Sequence, residues 1–132
     1  MTTLTFLTPL PGLGARLFEL VTEPADGVYT LVALDAPGVQ VLALDPALWV
    51  PDFAPAVPVA DLARLGLDPA DRSAPESVGP LEPVVLVVAS ARDGALTVNL
   101  MAPLLVHPVT GAAVQTILEG QGLDLRRTLV PA

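Results

Sequence analysis

His107, set between Val106 and Pro108, is the one histidine in this sequence. Acyl-transfer chemistry built on it would need a nucleophile and an orienting acid around the imidazole. The serines are Ser73, Ser77 and Ser90, and none stands in a nucleophile-elbow motif. His107 therefore reads as an ordinary residue near the end of a strand. Metal chemistry has little more to draw on. With one His and no Cys, carboxylates are the remaining ligands, and they are scattered singly. Asp45, Asp52, Asp61, Asp68 and Asp71 share one region without the spacing of a calcium loop, and read as turn formers, a helix cap and solvated charges. Pro11-Gly12-Leu13-Gly14 contains a Gly-x-Gly, but the helix and lysine of a phosphate cradle do not follow, so it reads as a turn. No catalytic residue, metal site or cofactor is expected.

Composition narrows the partners. The formal net charge is -8, and all six basic residues are Arg. A nucleic-acid binder needs a cationic footprint, and an anionic membrane surface would repel this chain for the same reason. Hydrophobic residues make up 52% of the sequence, more than a domain of 132 residues can hide, which leaves apolar surface for a protein partner. Absence of Cys excludes disulfides and thiolate chemistry. Met1 to Gly14 lacks a basic n-region and is interrupted by Pro9 and Pro11, unlike a signal peptide. The undisturbed apolar run near Val84 to Ala89 is too short to span a bilayer. A cytoplasmic address is expected.

The elements that would carry a binding surface follow from the punctuation. Fifteen Pro and ten Gly exclude long helices and leave short segments rich in Val, Leu and Thr. Strands are expected at Leu4 to Leu7, Arg16 to Thr22, Val28 to Leu34, Val39 to Leu44, Pro83 to Ser90, Ala95 to Leu100, Leu104 to His107 and Ala113 to Leu118. Asp26-Gly27 and Asp93-Gly94 favour the positive φ of hairpin turns, and Pro37-Gly38 and Thr110-Gly111 mark two more. Val59, Leu62 and Leu65 recur at helical spacing between Pro58 and Gly66, which predicts one short helix over 59–66, acting as a lid over an open end of the core. Asp68 to Pro80 reads as a loop. The fold class is mostly β, a compact antiparallel pseudobarrel or sandwich of two sheets in one domain over 1–132.

Four ordered segments resemble the flagellar assembly factor FliW family. The first is Phe6-Leu7-Thr8-Pro9-Leu10-Pro11-Gly12-Leu13 with Phe18-Glu19-Leu20, a strand and a Leu-Pro-Gly turn before a Phe-containing strand. The second is Leu44-Asp45-Pro46-Ala47-Leu48-Trp49-Val50-Pro51-Asp52-Phe53, similar to the family's Asp-Pro, hydrophobic triplet, Pro-Asp-aromatic signature. The third is the helix segment Asp61 to Leu67. The fourth is Leu96-Thr97-Val98-Asn99-Leu100-Met101-Ala102-Pro103-Leu104-Leu105-Val106, then Thr110-Gly111 and Gln115, similar to the family's Thr-x-Asn-Leu-x-Ala-Pro block. His107 replaces a common Asn and Leu123 a usual aromatic, while Arg126 and Leu129 keep the C-terminal pattern; the Asp68 to Pro80 loop matches poorly.

The resemblance implies a cytoplasmic, monomeric protein that binds newly made flagellin. It also implies binding to the RNA-binding translational repressor CsrA, the carbon storage regulator, so that flagellin export frees the protein to relieve repression. It implies no enzymatic activity. The alternatives are a small-ligand or enzymatic β-barrel with a pocket around His107, Asp45 and Asp52, and a structural subunit of a larger assembly. Within the fourth segment, Leu96, Val98 and Leu100 face one side while Thr97 and Asn99 face the other. Pro103 has no N–H, so Ala102-Pro103 interrupts the ladder as a bulge or an edge able to receive a partner. The expected protein-binding residues are Asn99, Leu100, Ala102, Pro103, Leu104, Gln115 and Arg126. A second role for Asn99 and Gln115 is to satisfy buried backbone groups.

Overall fold

A computed structural model describes residues 2–10, 13–67, 83–92, 94–118 and 120–130. The loop expected over Asp68 to Pro80, with Ser73 and Ser77, lies outside the described residues. The strands are β1 (Thr2–Phe6), β2 (Leu17–Thr22), β3 (Val28–Ala33), β4 (Gln40–Leu44), β5 (Val84–Arg92), β6 (Ala95–Val106), β7 (Ala112–Gln115) and β8 (Arg127–Val130). Two short helices, α1 (Pro46–Trp49) and α2 (Val59–Arg64), lie between β4 and β5. The sheet order is β5-β4-β3-β2-β1-β7-β6-β8, and β5 also pairs with β6. That pairing joins the first strand of the row to the seventh and closes a barrel, with β8 attached outside it on β6.

The mostly β pseudobarrel is therefore as expected, and it departs from expectation in its details. It is one continuous closed sheet rather than two. Its β1–β7 pair is parallel, because the first strand closes against one near the other end of the chain and the intervening elements serve as the crossover. A second helix, α1, is present: Asp45 caps it by accepting from the Ala47 N–H, and Pro46 begins it where no N–H is required.

The turns follow the glycines. Gly27 and Gly94 have φ of 72° and 78° and close the β2–β3 and β5–β6 hairpins. Gly111 has φ of 78°, and a Cβ there would stand 2.4 Å from the Thr3 carbonyl oxygen. The chain needs that approach, since the Thr5 N–H donates to the Gly111 carbonyl at 2.9 Å and so starts the β1–β7 seam.

Leu4, Phe6, Phe18, Leu31, Ala43, Leu86, Leu104 and Ala113, drawn from all seven barrel strands, fill the barrel interior. Phe6 and Phe18 meet edge to face, with ring centroids 5.5 Å apart. Two further clusters lie on the outer face. Leu44, Val50, Val87, Ala89, Val98 and Leu100 pack with Trp49, Phe53 and Leu129, so α1 and β8 cover that side. Leu105 and Val114 pack with Leu62, Leu65 and Leu67 of the α2 segment. Helix α2 thus covers an outer face of the barrel, not an open end of it as expected. Its exit is the expected glycine stop: Gly66 has φ of 79°, its N–H bonds to the Ala63 carbonyl and the Leu67 N–H to the Leu62 carbonyl. Thr116, buried, donates its hydroxyl to the Asp61 carboxylate and ties α2 to the end of β7.

The segments expected as separate strands at Ala95 to Leu100 and Leu104 to His107 form one strand, β6, with a large bulge inside it. Leu86 pairs with Leu104 and Val88 with Asn99, so two steps along β5 match five along β6, an excess of three. An odd excess inverts the alternation of side chains. Val98 and Leu100 consequently face the outer cluster, whereas Leu104 and Val106 enter the interior. The bulge's polar groups are answered inside the fold. Asn99 Oδ1 accepts from the Met101 and Ala102 N–H groups at 3.0 and 3.1 Å. The Leu118 N–H donates to the Met101 carbonyl, Gln115 Nε2 to that of Ala102, and the Thr116 N–H to that of Pro103. The Leu100 N–H donates to the Asp124 carbonyl, and Pro103 has no N–H to satisfy.

Two substitutions test this reading. Gly111→Ala should lower unfolding free energy by about 2 kcal/mol or more, through left-handed strain plus the clash at Thr3. Asn99→Ala leaves two bulge N–H groups unanswered and should cost about 2 kcal/mol. Denaturant titration of each purified variant reads both, and a loss below about 0.5 kcal/mol in either would contradict the role assigned.

Candidate functional site

The β5–β6 hairpin continues past the last β4 pairing at Ala89, so its inner face is not closed over by the barrel. There Val88 and Ser90 of β5 and Ala95, Thr97 and Asn99 of β6 line a groove of about 580 Å³, flanked by Leu125 and Arg126. The alternation read from the sequence holds for the side chains: Thr97 and Asn99 face this groove, while Val98, which also borders it, and Leu100 are buried in the outer cluster. Of the expected binding residues, Asn99 and Arg126 are brought together here. Leu100, Ala102, Pro103 and Leu104 are buried, and Gln115 is half-buried with its amide on the Ala102 carbonyl. These five shape the bulge beneath the groove. The break is not an edge, because β6 keeps β5 on one side throughout and exchanges β8 for β7 on the other across the bulge.

A clasp that the sequence reading did not anticipate fixes the groove's far wall. Arg127 donates Nη1 and Nη2 to the two Asp52 oxygens at 2.8 and 3.1 Å. This bidentate pair joins β8 to the turn after α1 and turns Arg127 away from its neighbour Arg126. The Arg127 hydrogen bond holds the Asp52 carboxyl below the ordinary carboxylate range. Asp35 is lowered as well, chiefly by the Arg16 backbone N–H. The signal available in the sequence was the Arg-Thr-Leu-Val run with a β-branched residue at each even position, but nothing in it names Asp52 as the partner.

The pocket imagined around His107, Asp45 and Asp52 does not assemble. His107 lines a different cavity of about 430 Å³ with Thr3, Val84 and Thr110, and neither Asp lines it. Its Nδ1 accepts from the Val109 and Thr110 N–H groups at 3.1 and 3.2 Å and thereby shapes the turn before Gly111. Asp45 caps α1 and Asp52 holds Arg127. Among the described residues no three His, Asp or Glu side chains gather as a metal site, and no helix is long and apolar enough to cross a membrane.

The clasp has a pH signature. A carboxyl lowered in the folded state contributes stability above its unfolded value of about 3.9, and that contribution is lost as pH falls through the folded value. Thermal unfolding of the wild type should therefore fall more steeply below about pH 4 than that of Asp52→Asn. Because the pair is exposed, the difference should also shrink in high salt. Identical slopes would show that the clasp does not form.

The sequence and the fold have clear relatives. The family model described as "FliW protein" matches residues 1–129. The chain is 31% identical to the flagellar assembly factor FliW of Thermotoga neapolitana over 115 residues, covering 87% of this chain and 70% of that protein. It is 30% identical to the protein of the same name from Thermotoga sp. strain RQ2 over 127 residues, covering 95% and 80%. A crystal structure of the flagellar assembly factor FliW superposes with a TM-score of 0.79 at 19% identity, covering 98% of this chain and 86% of that one, a likeness of fold. With a family model matched over almost its full length and relatives aligned along most of theirs, this chain belongs to the FliW family.

Proposed function

We propose that this chain is a flagellar assembly factor that binds flagellin in the cytoplasm as a monomer and antagonises a CsrA-type translational repressor, so coupling flagellin synthesis to its export. The observation that carries the reading is the family match over residues 1–129, together with relatives named flagellar assembly factors. The geometry is in keeping with binding rather than catalysis. His107 spends its Nδ1 on a turn, Asp45 on a helix cap and Asp52 on an arginine. Nothing in that arrangement leaves a nucleophile beside a base. What the fold does offer is an uncovered groove on a firmly braced hairpin, a rigid scaffold for a partner segment.

Charge supports the same division of labour. At -8 overall, the molecule attracts a basic RNA-binding protein over a distance and speeds encounter with it. A repressor that must neutralise phosphates is such a protein.

The test uses purified proteins from the source organism. Size-exclusion chromatography should show this chain forming a complex with flagellin and, separately, with the repressor. Added flagellin should displace the repressor, and adding this chain to a repressor–RNA complex should release RNA in a mobility-shift assay. Failure to bind either protein at micromolar concentrations would remove the proposal.

A further inference from the structure

Among the described residues lining the groove, the one charged side chain is a cation. The Asn99 amide cannot be flipped without losing two hydrogen bonds, because its Oδ1 must accept from the Met101 and Ala102 N–H groups. Its Nδ2 is left as the donor end, in a residue that lines the groove. The charged feature is Arg126. Three other arginines with described side chains are held by their own protein: Arg16 by the Phe6 and Leu7 carbonyls, Arg64 by Asp61 and Thr8, and Arg127 by Asp52. Arg126 is exposed on the groove's flank and has no hydrogen-bond or ion-pair partner among the described residues. An amide donor and a guanidinium thus flank a floor of Val88 and Ala95.

Ser90 and Thr97 also line the groove with hydroxyls that can donate or accept, so the guanidinium decides the match, and over an apolar floor it calls for an acceptor that carries negative charge. In a molecule of net charge -8, an uncommitted arginine in such a place is also the local exception to a field that would repel that ligand. We infer that this groove takes an extended segment of a partner protein, with a carboxylate of that segment bonded to Arg126 and its neighbouring backbone carbonyl to Asn99 Nδ2. An extended segment suits the site because its alternate side chains can lie on the apolar floor while the others remain in solvent. This rests on the function proposed above and assigns the groove to flagellin. The repressor is the poorer fit, since a cation-rich RNA-binding surface is repelled by Arg126.

Asn99→Asp and Arg126→Glu test the assignment. The Asp variant keeps an oxygen for the bulge N–H groups, so it separates the ligand contact from the scaffold role, and thermal melts of both variants establish that the fold is retained. Isothermal titration against flagellin should show at least a tenfold loss of affinity for each, with Arg126→Lys retaining part of it. The dependence of affinity on salt should flatten in Arg126→Glu. Repressor affinity should be unchanged. Unchanged flagellin affinity in both folded variants overturns the groove assignment while leaving the family function in place. Loss of repressor affinity instead, or a change of oligomeric state in light scattering, overturns the choice of occupant. Absence of flagellin binding by the wild type overturns the proposed function and the groove together.

Discussion

Three extra residues in β6 organise this molecule. Between Asn99 and Leu104 the strand runs past its β5 partner by an odd number of positions, so its two halves present opposite faces to the same core. One half lends Val98 and Leu100 to the cluster under α1 and β8, and the other sends Leu104 and Val106 into the barrel. Without that inversion, a strand of this length would bury one face and leave its other apolar row exposed. The bulge also lets β6 exchange one neighbour for another. It carries β8 before the break and β7 after it, and the β7 pairing is part of what closes the barrel.

Such a break is stable only when its backbone groups are answered, because an orphaned buried amide costs about as much as several ordinary contacts supply. The short side chains of Asn99 and Gln115 reach the groups that no strand can reach, and the Leu118 and Thr116 N–H groups supply the rest. The same commitment gives the groove its chemistry. Using Oδ1 on the scaffold leaves Nδ2 as the donor end of a side chain that lines the groove. Fold and candidate site are joined through a single side chain.

Much of this was legible in one dimension. Six barrel strands, and β6 as two separate pieces, came out of apolar segments punctuated by Asp-Gly, Pro-Gly and Thr-Gly pairs, because positive φ at those glycines is a local requirement. The stop of α2 at Gly66 is local for the same reason. Other elements were harder to read. Helix α1 has its cap and first-turn proline in the sequence, but at four residues it carries no periodicity to reveal it. Strand β8 is half committed to a sheet only because β6 offers it an edge. The parallel β1–β7 seam and the seat of α2 on an outer face of the barrel depend on residues far apart in the chain, which no local pattern records.

By itself the sequence determined that the chain is acidic, rich in strands, without thiol chemistry, and patterned in four segments like one family. It also determined that Pro103 must interrupt a ladder. Tertiary structure alone decided what the interruption is for. The missing N–H of Pro103 is a property of one residue, whereas the sense of a bulge depends on counting β6 against β5, and the commitment of Arg127 depends on Asp52 being brought to it from the turn after α1. Those are relations between distant segments, set when the barrel closes. They turn an arginine pair that looks equivalent in the sequence into one structural residue and one available for recognition.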